Sequence, residues 1–170
     1  MSEDSLRVSR VIAAPRERVF AAWLDPESLR RFMCPGGKTV TRAEVEPRAG
    51  GAFRIDMQGS DGLWVHTGTY LEVSPPEKLV FTWQSKATGG VPSLVTVVCL
   101  DRGGATELVL TQERLPSANA VVRHTGGWTQ ILELIDRLLA PPHPQAAAGG
   151  GASAGAGPAA AAGSESANCE

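Results

Sequence analysis

One amphipathic stretch near the C-terminal end limits the folds that this chain can adopt. Residues 126–139 carry apolar side chains at spacings of three and four, the pattern of a helix with one apolar face. The apolar positions are Trp128, Ile131, Leu132, Ile135, Leu138 and Leu139. About ninety preceding residues have the pattern of successive strands, and an antiparallel sheet has a face that needs cover. We therefore expect the helix to pack on a sheet, with any gap between them forming a ligand cavity.

The alternation of apolar and polar residues predicts seven strands. The first begins near Leu6, and two short helices follow it, with Pro15 and Pro26 in their first turns and Asp25 capping the second. From residue 38 onward the period changes to two, and turns rich in glycine or proline separate six further strands. The sequence thus predicts an α+β fold of seven antiparallel strands and a long C-terminal helix.

Composition and charge indicate one domain. The chain has 170 residues, of which 42% are hydrophobic, which is enough for a single core. The 16 Lys and Arg nearly balance the 18 Asp and Glu, and the sequence has no long run of charges of one sign. Both features argue against nucleic-acid binding. The polar N-terminal residues and the lack of a long apolar run predict a cytoplasmic protein without membrane insertion. We expect a domain over residues 1–140 and a disordered tail, rich in Ala, Gly and Pro, over residues 141–170.

Four blocks of sequence carry a family resemblance. They are residues 15–29 (PRERVFAAWLDPESL), 48–53 (RAGGAF), 68–83 (GTYLEVSPPEKLVFTW) and 127–128 (GW). Together they resemble the Hsp90-ATPase-activator-homologue-like branch of the START/Bet v 1 (SRPBCC) superfamily, over about residues 5–140. The resemblance implies a helix-grip fold, in which a curved seven-stranded sheet wraps around the C-terminal helix and often leaves an apolar cavity.

Two features limit what the resemblance implies about function. Relatives commonly carry a tryptophan before Gly-Pro in the second short helix, whereas this chain has Phe32-Met33-Cys34-Pro35 there, so no ligand preference is carried over. Chaperone activation belongs, as the resemblance implies it, to longer proteins with an additional domain. The sequence therefore does not support an interaction with Hsp90.

One histidine lies where it could take part in chemistry. His66 is in the middle of a predicted strand, but the sequence places no Ser, Cys or carboxylate to form a proton relay with it. His124 is interpreted as a solvated side chain, and His143, between prolines, is given no role.

The facing of His66 depends on the register of its strand. The two registers turn inward either Val65, Leu71 and Val73 or Trp64, His66 and Tyr70. The first register, in which Val73 pairs with Leu79, gives the better apolar match. His66 and Tyr70 are therefore secondary candidates for ligand contact.

The candidate ligand site lies between the sheet and the long helix, where a solid core is the alternative. Gln112 would place one polar group there, and a ligand or a water could be its partner. The residues contain no metal cluster and no cofactor motif, so we predict neither a metal nor a cofactor. The candidate ligand-binding residues are Phe32, Phe53, Met57, His66, Tyr70, Phe81, Trp83, Val97, Leu110, Gln112, Trp128 and Ile131.

These patterns favour a protein that binds a small apolar or amphipathic molecule without covalent chemistry. One alternative is an enzyme of cyclase or hydrolase type that uses the same cavity, with His66, Tyr70 or Gln112 polarising the substrate. Another is a protein-interaction module of the co-chaperone or stress-response type. The sequence leaves the oligomeric state open, a homodimer included.

Overall fold

Seven antiparallel strands form a single sheet in the computed structural model, which describes residues 4–141. The strands are β1 (Leu6–Ile12), β2 (Thr39–Val45), β3 (Ala52–Gly59), β4 (Gly62–Ser74), β5 (Lys78–Trp83), β6 (Ser93–Arg102) and β7 (Ala105–Glu113). Their order across the sheet is β1-β7-β6-β5-β4-β3-β2, so β1 and β2 are the edges. The predicted strand count and α+β class are confirmed. The tail expected over residues 141–170, with His143, lies outside the described residues apart from Pro141.

Three α-helices accompany the sheet among residues 4–141: α1 (Arg16–Ala22), α2 (Pro26–Phe32) and α3 (Ala118–Leu139). Asp25 caps α2 as predicted, since its Oδ2 accepts hydrogen bonds from the backbone N–H and the hydroxyl of Ser28. The apolar face of α3 is buried against the concave side of the sheet, as expected of a helix-grip fold. Within the described part of the chain, no helix is both long and apolar enough to cross a membrane.

The start of α3 differs from the sequence prediction. The apolar stripe places it at Gly126, but the helix begins eight residues earlier, at Ala118, where the Ser117 hydroxyl accepts from the backbone N–H of Ala120. Two adjacent glycines favour a helix boundary, yet here the helix passes through them, and each costs about 1 kcal/mol relative to alanine. The additional turns bring His124 onto the helix, at one end of the sheet.

A β-bulge in β4 explains why the favoured facing of this strand is wrong. Val73 pairs with Leu79 as predicted, but Leu71 is an extra residue between the pairs that Tyr70 and Glu72 form with β5. The bulge reverses which side chains point inward along the rest of the strand. Leu71 is 53% exposed, whereas His66 and Tyr70 are 7% and 3% exposed. The pairing of Val73 with Leu79 is therefore that of the favoured register. The inward-facing residues His66 and Tyr70 are those of the other register.

Candidate functional site

Aromatic rings fill the centre of the space between the sheet and α3. The ring centres of Trp83 and Trp128 are 5.1 Å apart, and those of Phe53 and Phe81 are 5.5 Å apart. A void beside Phe53, Phe81 and Trp83 has a volume of about 10 Å³, no more than one water needs. The candidates that pack in this filled region and do not border the larger cavity are Phe32, Phe53, Tyr70, Phe81, Val97 and Leu110.

A cavity of about 400 Å³ lies at one end of this aromatic core. Its walls come from residues 122–131 of α3, from β3 and β4 near their shared turn, from the end of β5 with Ala87 beyond it, and from the Pro35–Gly37 turn with Lys38. The volume falls in the range of small-molecule binding sites, which is about 300–1,000 Å³. The sequence candidates that line it are Met57, His66, Trp83, Trp128 and Ile131.

The remaining wall residues were not among the sequence candidates, although one of the two registers considered for β4 turned Trp64 inward. Most belong to loops or to the early turns of α3, where apolar periodicity carries no information about facing. The sequence offered two signals, which are the register of β4 that turns Trp64 inward and the Gly126-Gly127 pair at the predicted start of α3. The missed residues are Pro35, Gly36, Lys38, Asp61, Trp64, Ala87, Val122, Arg123, His124, Gly126, Gly127 and Gln130.

A close approach of α3 to the Pro35–Gly37 turn forms one wall. The backbone N–H of Gly36 donates to Oε1 of Gln130 at 2.6 Å. A Cβ atom on Gly127 would lie 4.0 Å from Cγ of Pro35, in ordinary van der Waals contact. Any larger side chain at position 127 would therefore extend into the gap between the helix and the turn.

Two histidines line the cavity as neutral side chains. Nδ1 of His66 lies 3.3 Å from the Ile55 carbonyl, and Nδ1 of His124 lies 2.8 Å from the Ala120 carbonyl. A carbonyl only accepts, so Nδ1 carries the proton in each ring and Nε2 is left as an acceptor. Burial lowers the pKa of His66 to about 4, and burial also lowers the pKa of His124, which the sequence analysis took as solvated.

Positive charges surround the indole of Trp64 at the mouth of the cavity. Nζ of Lys86 lies 4.2 Å from the ring centre, Cζ of Arg123 lies at 5.6 Å, and Nζ of Lys38 lies at 6.0 Å. The indole N–H donates to Oδ1 of Asp61 at 3.0 Å. That hydrogen bond is the main cause of a lowered pKa of Asp61, and the charges of Lys38 and Lys86 contribute to it.

Gln112 has partners within the protein, so neither the ligand nor the water considered in the sequence analysis is needed to satisfy it. Its Oε1 accepts from the Trp128 indole N–H at 2.7 Å, and its Nε2 donates to the Ser93 hydroxyl at 2.9 Å. The Ser93 hydroxyl in turn donates to the Trp83 carbonyl. Gln112 does not line the cavity but connects the two tryptophans that do, and so supports the cavity wall from behind.

The acidic, cysteine and histidine residues of the described chain do not gather into a metal site. Among residues 4–141, no group of three or more of these side chains is placed to hold a metal ion.

Comparison with known proteins gives a family and several similar structures. The family model described as "Activator of Hsp90 ATPase homolog 1-like protein" matches residues 13–140. Protein CV1439 from Chromobacterium violaceum is 28% identical, with a TM-score of 0.76 over 82% of this chain and 99% of its own. The AHSA1 protein from Silicibacter pomeroyi is 27% identical, with a TM-score of 0.71 over 82% of this chain and 99% of its own. CalU16 from Micromonospora echinospora is 23% identical, with a TM-score of 0.62 over 81% of this chain and 76% of its own, a likeness of fold alone. No curated protein matches the sequence.

Proposed function

This chain belongs to the Activator of Hsp90 ATPase homolog 1-like protein family, and on that premise we propose that it binds a small apolar or amphipathic molecule in the cavity beside α3. The observation that carries the proposal is the cavity itself, with about 400 Å³ of space at the end of an otherwise filled core. The family description mentions Hsp90 because of the proteins after which the family is named. The function proposed for this chain does not include Hsp90.

The cavity wall supports binding through apolar contact. Met57, Trp83, Trp128 and Ile131 form the floor of the cavity and are each at most 3% exposed. The apolar surface of the wall that is accessible to a ligand lies at Trp64, Pro35 and Val122. Apolar surface removed from water stabilises a complex by about 25 cal/mol per Å² before the costs of association. Aromatic walls fixed by the Gln112 hydrogen bonds are already ordered, so binding loses little side-chain entropy there.

The two histidines support binding more than catalysis. With a pKa of about 4, His66 is a weak proton acceptor at neutral pH, and a general base works best when its pKa is near the operating pH. The neutral rings of His66 and His124 are suited to accept hydrogen bonds from a ligand at Nε2. Of the three residues in the enzyme alternative, Tyr70 and Gln112 do not border the cavity.

A titration with N-phenyl-1-naphthylamine tests this proposal. This neutral, apolar dye becomes fluorescent in apolar sites, and transfer of energy from the tryptophans in the wall reports that it is close to them. We expect saturable binding at one site per chain in the wild type. The variant Gly127→Leu should lose the site, because the leucine side chain extends into the gap beside Pro35.

Gly127→Ala is the matched control. Like Gly127→Leu, it replaces a helical glycine by a residue with a higher helix propensity. It adds only one methyl group, which meets Pro35 at ordinary contact distance, so this variant should still bind the dye. Thermal unfolding of all three proteins checks that each is folded. Equal affinity of the wild type and Gly127→Leu would show that the dye binds elsewhere and would refute the proposed site.

A further inference from the structure

The mouth of the cavity has a local excess of positive charge. Lys38, Lys86 and Arg123 come from three separate segments, and all approach the Trp64 ring within 6.0 Å. The chain as a whole has a formal net charge of −2, so this cluster does not follow from a generally basic surface. Like charges that converge in this way repel each other unless something compensates them.

The protein's own groups compensate the cluster only in part. Among residues 4–141, eight other basic side chains form ion pairs with carboxylates, and none of these pairs involves Lys38, Lys86 or Arg123. The carboxylate of Asp61 is hydrogen-bonded to Trp64, and its charge balances at most one of the three. The Trp64 ring attracts cations, but Arg123 and Lys38 lie near the outer limit of about 6 Å for such contacts.

We propose that the ligand is an anionic amphiphile, whose apolar body lies against Trp83 and Trp128 and whose anionic group meets Lys38, Lys86 and Arg123 beside Trp64. This inference rests on the proposed function, since it names the chemical class of ligand for the same cavity. A guanidinium and two ammonium groups suit a carboxylate, a sulfate or a phosphate, all of which accept several charge-assisted hydrogen bonds.

The interior of the cavity is consistent with an anionic group at the mouth and an apolar body inside. The two histidines behind the mouth add no positive charge, because burial lowers the pKa of His66 to about 4 and also lowers the pKa of His124. Because burial keeps both histidines neutral, they do not compete with the mouth for the anion. The positive charge is therefore concentrated at the mouth, and the apolar and aromatic surfaces lie deeper.

A matched pair of dyes separates the anionic group from the apolar body. 8-Anilinonaphthalene-1-sulfonate has the ring skeleton of N-phenyl-1-naphthylamine with one added sulfonate. Both dissociation constants are measured on the full chain for the wild type and for the triple variant K38Q/K86Q/R123Q. The control R7Q/R18Q/R137Q also removes three exposed cations, none of which lines the cavity.

The triple variant should bind the sulfonate dye about tenfold more weakly, as expected for the loss of several exposed charge contacts. It should bind the neutral dye with an affinity within about twofold of the wild type, because the apolar wall is unchanged. Raising the salt concentration should lower the affinity of the wild type for the sulfonate dye and leave its affinity for the neutral dye unchanged, since salt screens exposed charges. The control variant should match the wild type for both dyes.

Four results would overturn the inference. If the triple variant kept its affinity for the sulfonate dye, or lost affinity for both dyes equally, the cations would not select an anion, while the cavity would still stand as a binding site. If the control variant lost as much affinity for the sulfonate dye as the triple variant, the loss would be explained by the net charge of the protein and not by the three cations at the mouth. If neither dye bound the wild type, the inference would fail together with the proposed function.

Discussion

The indole N–H of Trp128 on α3 donates a 2.7 Å hydrogen bond to the side-chain oxygen of Gln112 on β7, and both residues are almost fully buried. The bond crosses the core from helix to sheet and continues through Ser93 to the backbone of Trp83. Two of the aromatic walls of the cavity are thus fixed by one short polar chain. A polar chain buried in an apolar core stabilises the fold only when every member is paired.

The first prediction is that Gln112→Leu destabilises the protein by about 2–4 kcal/mol. The substitution introduces an apolar side chain of similar size and leaves the Trp128 N–H and the Ser93 hydroxyl without this partner in a buried region. Urea unfolding measures the loss. Gln112→Leu combined with Trp128→Phe should cost less than the two single changes together, because the double variant removes both ends of the bond. Additive losses would show that the bond contributes no coupling.

The second prediction concerns Gly68, which lies under the Phe53 ring. A methyl group there would overlap both that ring and the Thr82 carbonyl oxygen, and backbone atoms cannot move aside cheaply. Gly68→Ala should therefore lower the free energy of unfolding by about 2–3 kcal/mol, the upper part of the range for overpacked cores. Thermal unfolding tests this, and an unchanged melting temperature would contradict the tight packing of β4 against β3 and β5.

The third prediction is the opposite effect at Gly127. This glycine lies inside α3, and a Cβ atom meets only Cγ of Pro35, at 4.0 Å. Gly127→Ala should raise the free energy of unfolding by about 0.5–1 kcal/mol, since alanine restricts the unfolded chain and favours a helix. Urea unfolding beside the wild type measures the gain. A loss of stability would mean that the helix cannot keep its distance from the Pro35–Gly37 turn once a side chain is added.

The fourth prediction is that stability falls as the solution is acidified below neutral pH. The pKa of His66 is about 4 in the folded protein and near 6.5 when unfolded, so the unfolded state binds more protons between these values. The stabilising contribution is complete above pH 6.5 and is lost as the pH falls toward 4, by about 3 kcal/mol in total. The lowered pKa of His124 acts in the same direction.

Urea unfolding between pH 4 and pH 7.5 measures this dependence. The variant His66→Gln removes the titrating group, so its stability should change less with pH than that of the wild type across the same window. The comparison uses the slope of the free energy of unfolding against pH, because the substitution also changes the absolute stability. Identical slopes would show that His66 is not held neutral by burial.

The sequence predicted those parts of the fold that local pattern determines. Asp25 followed by Pro26 predicted the start of α2 because capping and proline geometry act within one turn. The facing of β4 could not be predicted in the same way, because the bulge at Leu71 changes the parity of the strand and no local residue signals it.

The candidate site was harder to predict than the fold. Trp83 and Trp128 could be placed in the interior from strand and helix periodicity, and both line the cavity. Gln112 was placed correctly in the interior, but its partner Ser93 lies 19 residues away in the sequence, and pairing across strands is set by the whole sheet. Lys38 reaches the mouth from a loop, and loop positions are fixed by tertiary contacts that periodicity does not contain.

The most direct test of the account uses the indole N–H signals of the four tryptophans in a two-dimensional nitrogen–proton NMR spectrum. Trp64, Trp83 and Trp128 line the cavity, whereas Trp23 lines only the small void in the core. During titration with 8-anilinonaphthalene-1-sulfonate, the first three signals should shift and saturate together, with Trp23 moving least, and Gly127→Leu should abolish the shifts. If the four signals stayed in place, or if Trp23 moved as much as the others, the cavity would not be the binding site.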